Sequence, residues 1–188
     1  EEFSFTSITT AQFEEFLNRE LPGIAEQIGA DEWIHQPGLP ENSPVFSSAR
    51  LEKLQELGKG WTDGLRPDVD EATAWTPEDW QIFLQALPRS LGAEDCAWLD
   101  GNFKLSEQGN SEILCNWLVI AANSGYEPAY ERMESFLGDV GRMKYLKPLY
   151  TALYGNSNSK ELAAKVFAAN ADSYHPIARG GIERVLAG

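Results

Sequence analysis

The sequence predicts an all-α protein, built from short helices stacked side by side as antiparallel αα-hairpins. No sustained period-2 alternation occurs, so no Asn-Gly or Asp-Gly pair joins two strand-like runs. Helix start and stop signals are plentiful, and from residue 77 onward they recur every 15 to 18 residues. Short helices joined by short loops favour neighbours that share a buried face. No internal repeat is visible, so the stacking follows from helix spacing and not from self-similarity.

Thr9 and Gln12 have the spacing of a capping box ahead of Phe13, Phe16, Leu17 and Leu21, and Pro22-Gly23 ends that first helix. DEWIHQ at 31–36 reads as one short helical turn. PGLPENSP at 37–44 holds three of the ten prolines and marks a linker over 37–46. SSARLEKLQELGKGW then predicts a helix from about Ser47 to Gly58, followed by a looser acidic segment, DGLRPDVDEAT. Thr76-Pro77-Glu78-Asp79 is a strong helix start, with a cap, a proline at the first helical position and acids at the positive end of the dipole. Further helices are expected at about 77–87, 93–101, 110–123, 128–139, 144–154, 159–172 and 176–187, with breaks at Gly92, Gly101, Gly125, Gly155 and Asn156.

A chain of 188 residues buries roughly 70% of its unfolded surface, which suits one domain with a short appendage. Apolar content of 43%, with six Trp and nine Phe, argues against disorder. The net charge of −14 disfavours nucleic acid and anionic membrane surfaces, and no apolar run approaches 18 residues; LVIAA at 118–122 is far too short to span a bilayer. The sequence starts at Glu1 without an initiator or a signal peptide, as a piece of a longer protein would. Cys96 and Cys115, both in helix-like apolar stretches, read as reduced core thiols and imply a cytoplasmic setting.

Against this background GRMKYLKPLY at 141–150 stands out. Residues 1–140 carry 26 acids and 8 bases, whereas residues 141–188 carry 3 acids and 7 bases. Such a reversal marks a surface that meets an anion, or else bases that cap helix ends and pair with the chain's own acids. With NSEI at 110–113 and YHPI at 174–177, GRMKY resembles the C-terminal helical domain of the leukotriene A4 hydrolase type of zinc aminopeptidase. SFTSITTAQFEEFL at 4–17 and DEWIHQPGLP at 31–40 resemble the end of that family's catalytic domain and the linker after it.

The resemblance implies three segments: residues 1–36 as the tail of a catalytic domain, 37–46 as a Pro-rich linker and 47–188 as the C-terminal domain. It also implies an armadillo- or HEAT-like α-α superhelix. Arg142 and Lys144 would hold the carboxylate of a short peptide substrate, and the catalytic domain of the same parent chain would be the partner. The family's zinc is held by an HExxH helix and a more distant Glu. This chain has no HExxH, and its two histidines, His35 and His175, are 140 residues apart, so no catalytic or metal residue is assigned within it. Zn2+ would belong to the parent enzyme. Mammalian members carry bases just after the NSEI motif. Here Leu114, Cys115 and Asn116 are neutral, and whatever those bases do does not carry over.

Other chemistries lack support. There is no GxSxG elbow, no nearby His for either cysteine and no P-loop spacing in GDVGRMK at 138–144. Asn110 or Ser111 reads as a helix cap with Glu112 at the dipole, and YHP as a stop signal. Trp75, Trp80, Trp98 and Trp117 read as core or interface anchors. Arg142 and Lys144 would face one side if they sat on a loop or helix start, and a guanidinium with an ammonium is a sound carboxylate receptor. The alternative is a helical-repeat scaffold for protein partners without enzymatic activity.

Overall fold

A computed structural model describes residues 2–44 and 47–188. No strand occurs among the described residues, and no helix among them is long and apolar enough to cross a membrane. The chain divides into two compact units, Glu1–Ser47 and Ser48–Gly188. The expected linker over 37–46 ends on residues 45 and 46, which lie outside the described ones.

The first unit holds α1 (Thr10–Glu20), α2 (Ile24–Gln27) and α3 (Ala30–His35). The Thr9 hydroxyl accepts from the Gln12 amide at 3.3 Å, and Gln12 Oε1 accepts from the Thr9 amide at 2.9 Å, completing the capping box. Gly23 and Gly29, both at positive φ, turn the chain into α2 and α3. The short α2 was not foreseen from the sequence. Ala30 is the only buried residue among those described in this unit. Local pairs tie it together: Arg19 with Glu2 and Glu20, His35 Nε2 with Glu14 at 2.7 Å, and Phe3 edge-on to Phe16.

The second unit comprises α4 (Ala49–Lys59), α5 (Val69–Ala72), α6 (Pro77–Ala86), α7 (Ala93–Phe103), α8 (Ser111–Asn123), α9 (Tyr130–Asp139), α10 (Met143–Gly155), α11 (Lys160–Asn170) and α12 (Pro176–Ala187). Helices α4, α6, α8, α10 and α12 form one row in which each packs on the next, while α11 packs on α9, α10 and α12. In α8, Ile113, Leu114, Cys115, Trp117, Leu118 and Ile120 are all buried, so this helix is covered nearly all round. Each such Leu or Ile contributes about 1.5–3 kcal/mol by leaving water. Trp75 and Trp80 are buried and Trp98 packs against the same core, as anchors should.

Two expectations need correction. The acidic stretch after α4 is not a loose loop: Gly60–Asp63 forms a 3-10 turn, and the Asp68 side chain caps α5 through the Glu71 amide. Gly101 does not break its helix either. The helix α7 runs on to Phe103, which is buried against Trp80 and Trp98, and stops at Lys104 in the left-handed region (φ 52°). Burial of Phe103 outweighs the modest helix cost of one glycine.

Long-range polar contacts fix the row. Asp79 closes the Thr76 capping box and also takes a two-pronged bond from Arg50 of α4, 2.7 Å to each carboxylate oxygen. The Arg50 guanidinium, with help from Thr76, overrides burial and holds the Asp79 carboxyl down at about 2. Further along, Tyr174 donates to the Leu137 carbonyl at 2.7 Å, and the Tyr150 hydroxyl lies 3.0 Å from that of Tyr174. Since the Tyr174 proton is committed to Leu137, Tyr150 is the donor in that pair. YHP is therefore more than a stop signal, because Tyr174 ties α9 to α10 while His175 Nδ1 accepts from Ile177 to start α12.

Glycine supplies the tightest contact of the row. A Cβ on Gly58 would lie 2.6 Å from Ala86 Cβ and 2.9 Å from the Phe83 carbonyl oxygen, so α4 meets α6 backbone to backbone. Gly58→Ala is expected to destabilise by about 1–3 kcal/mol through overpacking, although Ala is the better helix former. Gly101→Ala, which meets nothing within 4 Å, should stabilise by about 0.4–1 kcal/mol. Denaturant melts of the two variants check the contrast, and equal signs would refute it. A second outcome follows from Asp79. Its folded pKa lies below the unfolded 3.8, so its stabilising effect is complete above pH 3.8 and is lost as pH falls toward about 2. Asp79→Asn should flatten the acid limb of a stability-versus-pH curve in that window.

Candidate functional site

The start of α10 is assembled from opposed preferences. Val140 and Arg142 are extended, which releases the chain from α9, and Met143 begins the helix one residue before the expected start. The N-cap Arg142 makes no capping bond, and the first turn of α10 contains no acid. Lys144 and Lys147 instead place positive charge at the positive end of the dipole, where a helix favours anions. Pro148 adds a further gap, because it cannot donate to the Lys144 carbonyl four residues back.

Part of that charge is met from α8. The Asn110 side chain caps α8 through the Glu112 and Ile113 amides, which leaves the Glu112 carboxylate to project toward α10. Glu112 Oε1 accepts from Lys144 Nζ at 2.5 Å and from the Tyr145 hydroxyl at 2.8 Å. The NSEI and GRMKY motifs thus meet in space. Hydrogen bonds from Lys144 and Tyr145, aided by the charges of Lys144 and Arg142, hold the Glu112 carboxyl below its usual range. The same Glu112 bond, with burial, pushes the Tyr145 phenol up.

Arg142 and Lys144 gather around one ring. The Arg142 guanidinium carbon lies 5.8 Å from the Tyr145 ring centroid and Lys144 Nζ lies 5.7 Å from it. Their roles differ. Lys144 is already paired with Glu112, whereas Arg142 has no carboxylate partner among the described residues. A cavity of about 140 Å3 opens beside Lys144, bordered also by Glu112, Tyr145, Cys115, Arg89 and Pro148. Burial pushes the Cys115 thiol up to about 11, so at neutral pH it is an inert neutral wall.

Sequence reasoning placed Glu112 at the helix dipole and missed its bond to Lys144. The signal was indirect: GRMKYLKPLY contains three bases and no acid, so any partner had to come from elsewhere in the chain. It also passed over Arg89, which nothing local distinguishes. Within the first unit His35 bonds Glu14, and within the second His175 caps α12. Among the described residues no three His, Cys, Asp or Glu side chains come together as metal ligands. The residues present do not fit a zinc ion, and no step through one is assigned to them.

Comparison with known proteins adds to this geometry. A family model described as leukotriene A4 hydrolase, C-terminal, matches residues 75–186. A leucine aminopeptidase 2 of Neurospora crassa is 32% identical over 182 residues, a match covering 93% of this chain and 27% of that protein. A leukotriene A-4 hydrolase of Xenopus laevis is 24% identical over 185 residues, covering 93% and 30%. The native yeast LTA4 hydrolase structure aligns with a TM-score of 0.78 at 22% identity, over 97% of this chain and 33% of that one, a likeness of fold. The chain thus spans about a third or less of each of these relatives.

The Glu112–Tyr145 bond has a direct readout. Glu112→Gln removes the charge that holds the Tyr145 phenol up, so in ultraviolet pH titrations Tyr145 should ionise at lower pH than in the parent. An unmoved titration would mean that the bond does not form in solution.

Proposed function

The chain belongs to the leukotriene A4 hydrolase C-terminal family, and from that premise we propose that it is the non-catalytic helical part of a zinc aminopeptidase that cleaves short peptides. In this reading residues 47–188 close one side of the substrate cleft, residues 1–36 are the tail of the catalytic domain, and 37–46 link the two. The row of helices supports an armadillo-like superhelix. The free, buried thiols of Cys96 and Cys115 support a cytoplasmic setting. Zinc and the bond-breaking groups belong to the part of such an enzyme that this chain does not cover.

The observation that carries the proposal is Arg142: a guanidinium without a carboxylate partner among the described residues, at a helix N-terminus whose first turn holds no acid, in a protein of net charge −14. A peptide carboxylate would meet both oxygens with that planar fork. Lys144, steadied by Glu112, adds a second positive centre on the same ring, and the first-turn amides of α10 add the dipole. Holding the far end of the substrate fixes where its first peptide bond lies and favours short chains.

In the enzyme that carries this chain, Arg142→Ala is expected to lower kcat/KM for tripeptides by about 1.5–3 kcal/mol, the scale of a hydrogen bond to a charged group. Amino-acyl anilides, which lack the carboxylate, should lose much less. Equal losses on both substrate types would indicate general damage and remove the role.

A further inference from the structure

The 140 Å3 cavity beside Lys144 does not end there. It shares Arg89, Val119 and Pro148 with a second cavity of about 410 Å3, which Lys147 also borders, over a floor that includes Ala152. The groove therefore runs along α10 from Lys144 to Lys147, one turn further, with Arg89 from the segment after α6 lining both parts. Arg89 and Lys147 are exposed, and neither has an ion-pair partner among the described residues. Glu112, the only acid among the described residues that line either cavity, is already held by Lys144 and Tyr145. The outer part of the groove is thus an apolar trough flanked by two uncommitted cations.

We infer that Arg89 and Lys147 form a second carboxylate subsite, which selects peptides whose C-terminal residue is itself acidic. The inference rests on the proposed role of Arg142 and Lys144 and extends it. Side chains three apart on a helix lie about 5–6 Å from one another at Cβ, so Lys144 and Lys147 present charges on successive turns of one face. The two carboxyl groups of a C-terminal Asp or Glu are separated by only two or three carbons, a span that this spacing matches. The α-carboxylate sits with Arg142 and Lys144, the side-chain carboxylate with Arg89 and Lys147, and the intervening methylenes lie over Val119 and Pro148. Charge complementarity favours this occupant over an apolar C-terminal residue, which would leave both cations facing an empty trough.

The test titrates the 188-residue chain with Ala-Ala-Ala amide, Ala-Ala-Ala and Ala-Ala-Glu, following binding by two-dimensional NMR. Ala-Ala-Glu is expected to bind about three- to fivefold more tightly than Ala-Ala-Ala, the range of solvent-exposed ion pairs. That advantage should vanish in Arg89→Gln with Lys147→Gln and survive in Lys165→Gln, which removes a positive charge on α11. No advantage for Ala-Ala-Glu, or an advantage that survives the double variant or is lost equally in Lys165→Gln, overturns the subsite. The parent reading has its own comparison, since Ala-Ala-Ala must outbind its amide and must lose that margin in Arg142→Gln. If that margin is absent while the acidic advantage persists, the Arg142–Lys144 role fails and the Arg89–Lys147 subsite stands alone.

Discussion

Helix α8 has almost no face to give to solvent, and the second unit is organised by that fact. Six residues between Ile113 and Ile120 are buried, so α6 must cover one side and α10 the other. Once α8 is enclosed, its one charged side chain, Glu112, emerges at its first turn. Asn110 satisfies the free amides there, and Glu112 is delivered to the start of α10. The position of the candidate site is thus a by-product of core burial: shift α8 by one turn and Lys144 loses its partner.

The electrostatics of that junction are deliberately incomplete. Three bases, Arg142, Lys144 and Lys147, crowd the end of α10 that repels them, and the single acid of α8 answers only one. Elsewhere the chain supplies acids freely to its cations, as Arg50 with Asp79, Arg66 with Asp95 and Lys165 with Glu134 illustrate. A chain with 29 acids that withholds them from one helix end leaves room for an anion of external origin.

Local signals in the sequence were read reliably because they act over three or four residues. The boxes at Thr9–Gln12 and Thr76–Asp79, the cap at Asn110 and the proline at α12 all depend on such spacings. Gly101 was misjudged because its helix is sustained by Phe103 packing on Trp80, 23 residues away in sequence. The α5 turn escaped notice because its four residues sit in a run of acids with no periodicity to reveal them. Two motifs of the site were legible, but the bond between them was not: Glu112 and Lys144 are 32 residues apart, and only the packing of α8 on α10 joins them.

The linear row of helices also sets the order in which the second unit comes apart. Helices α4 and α12 each have one neighbour in the row, while α6, α8 and α10 have two. In such quasi-one-dimensional stacks opening propagates inward from the ends. Amide protons of α4 and α12 would therefore exchange early and those of α8 late, with the Glu112–Lys144 junction among the last regions to yield. The proposed carboxylate site thus lies at the most persistent joint of the stack, so its shape outlasts fraying at either terminus.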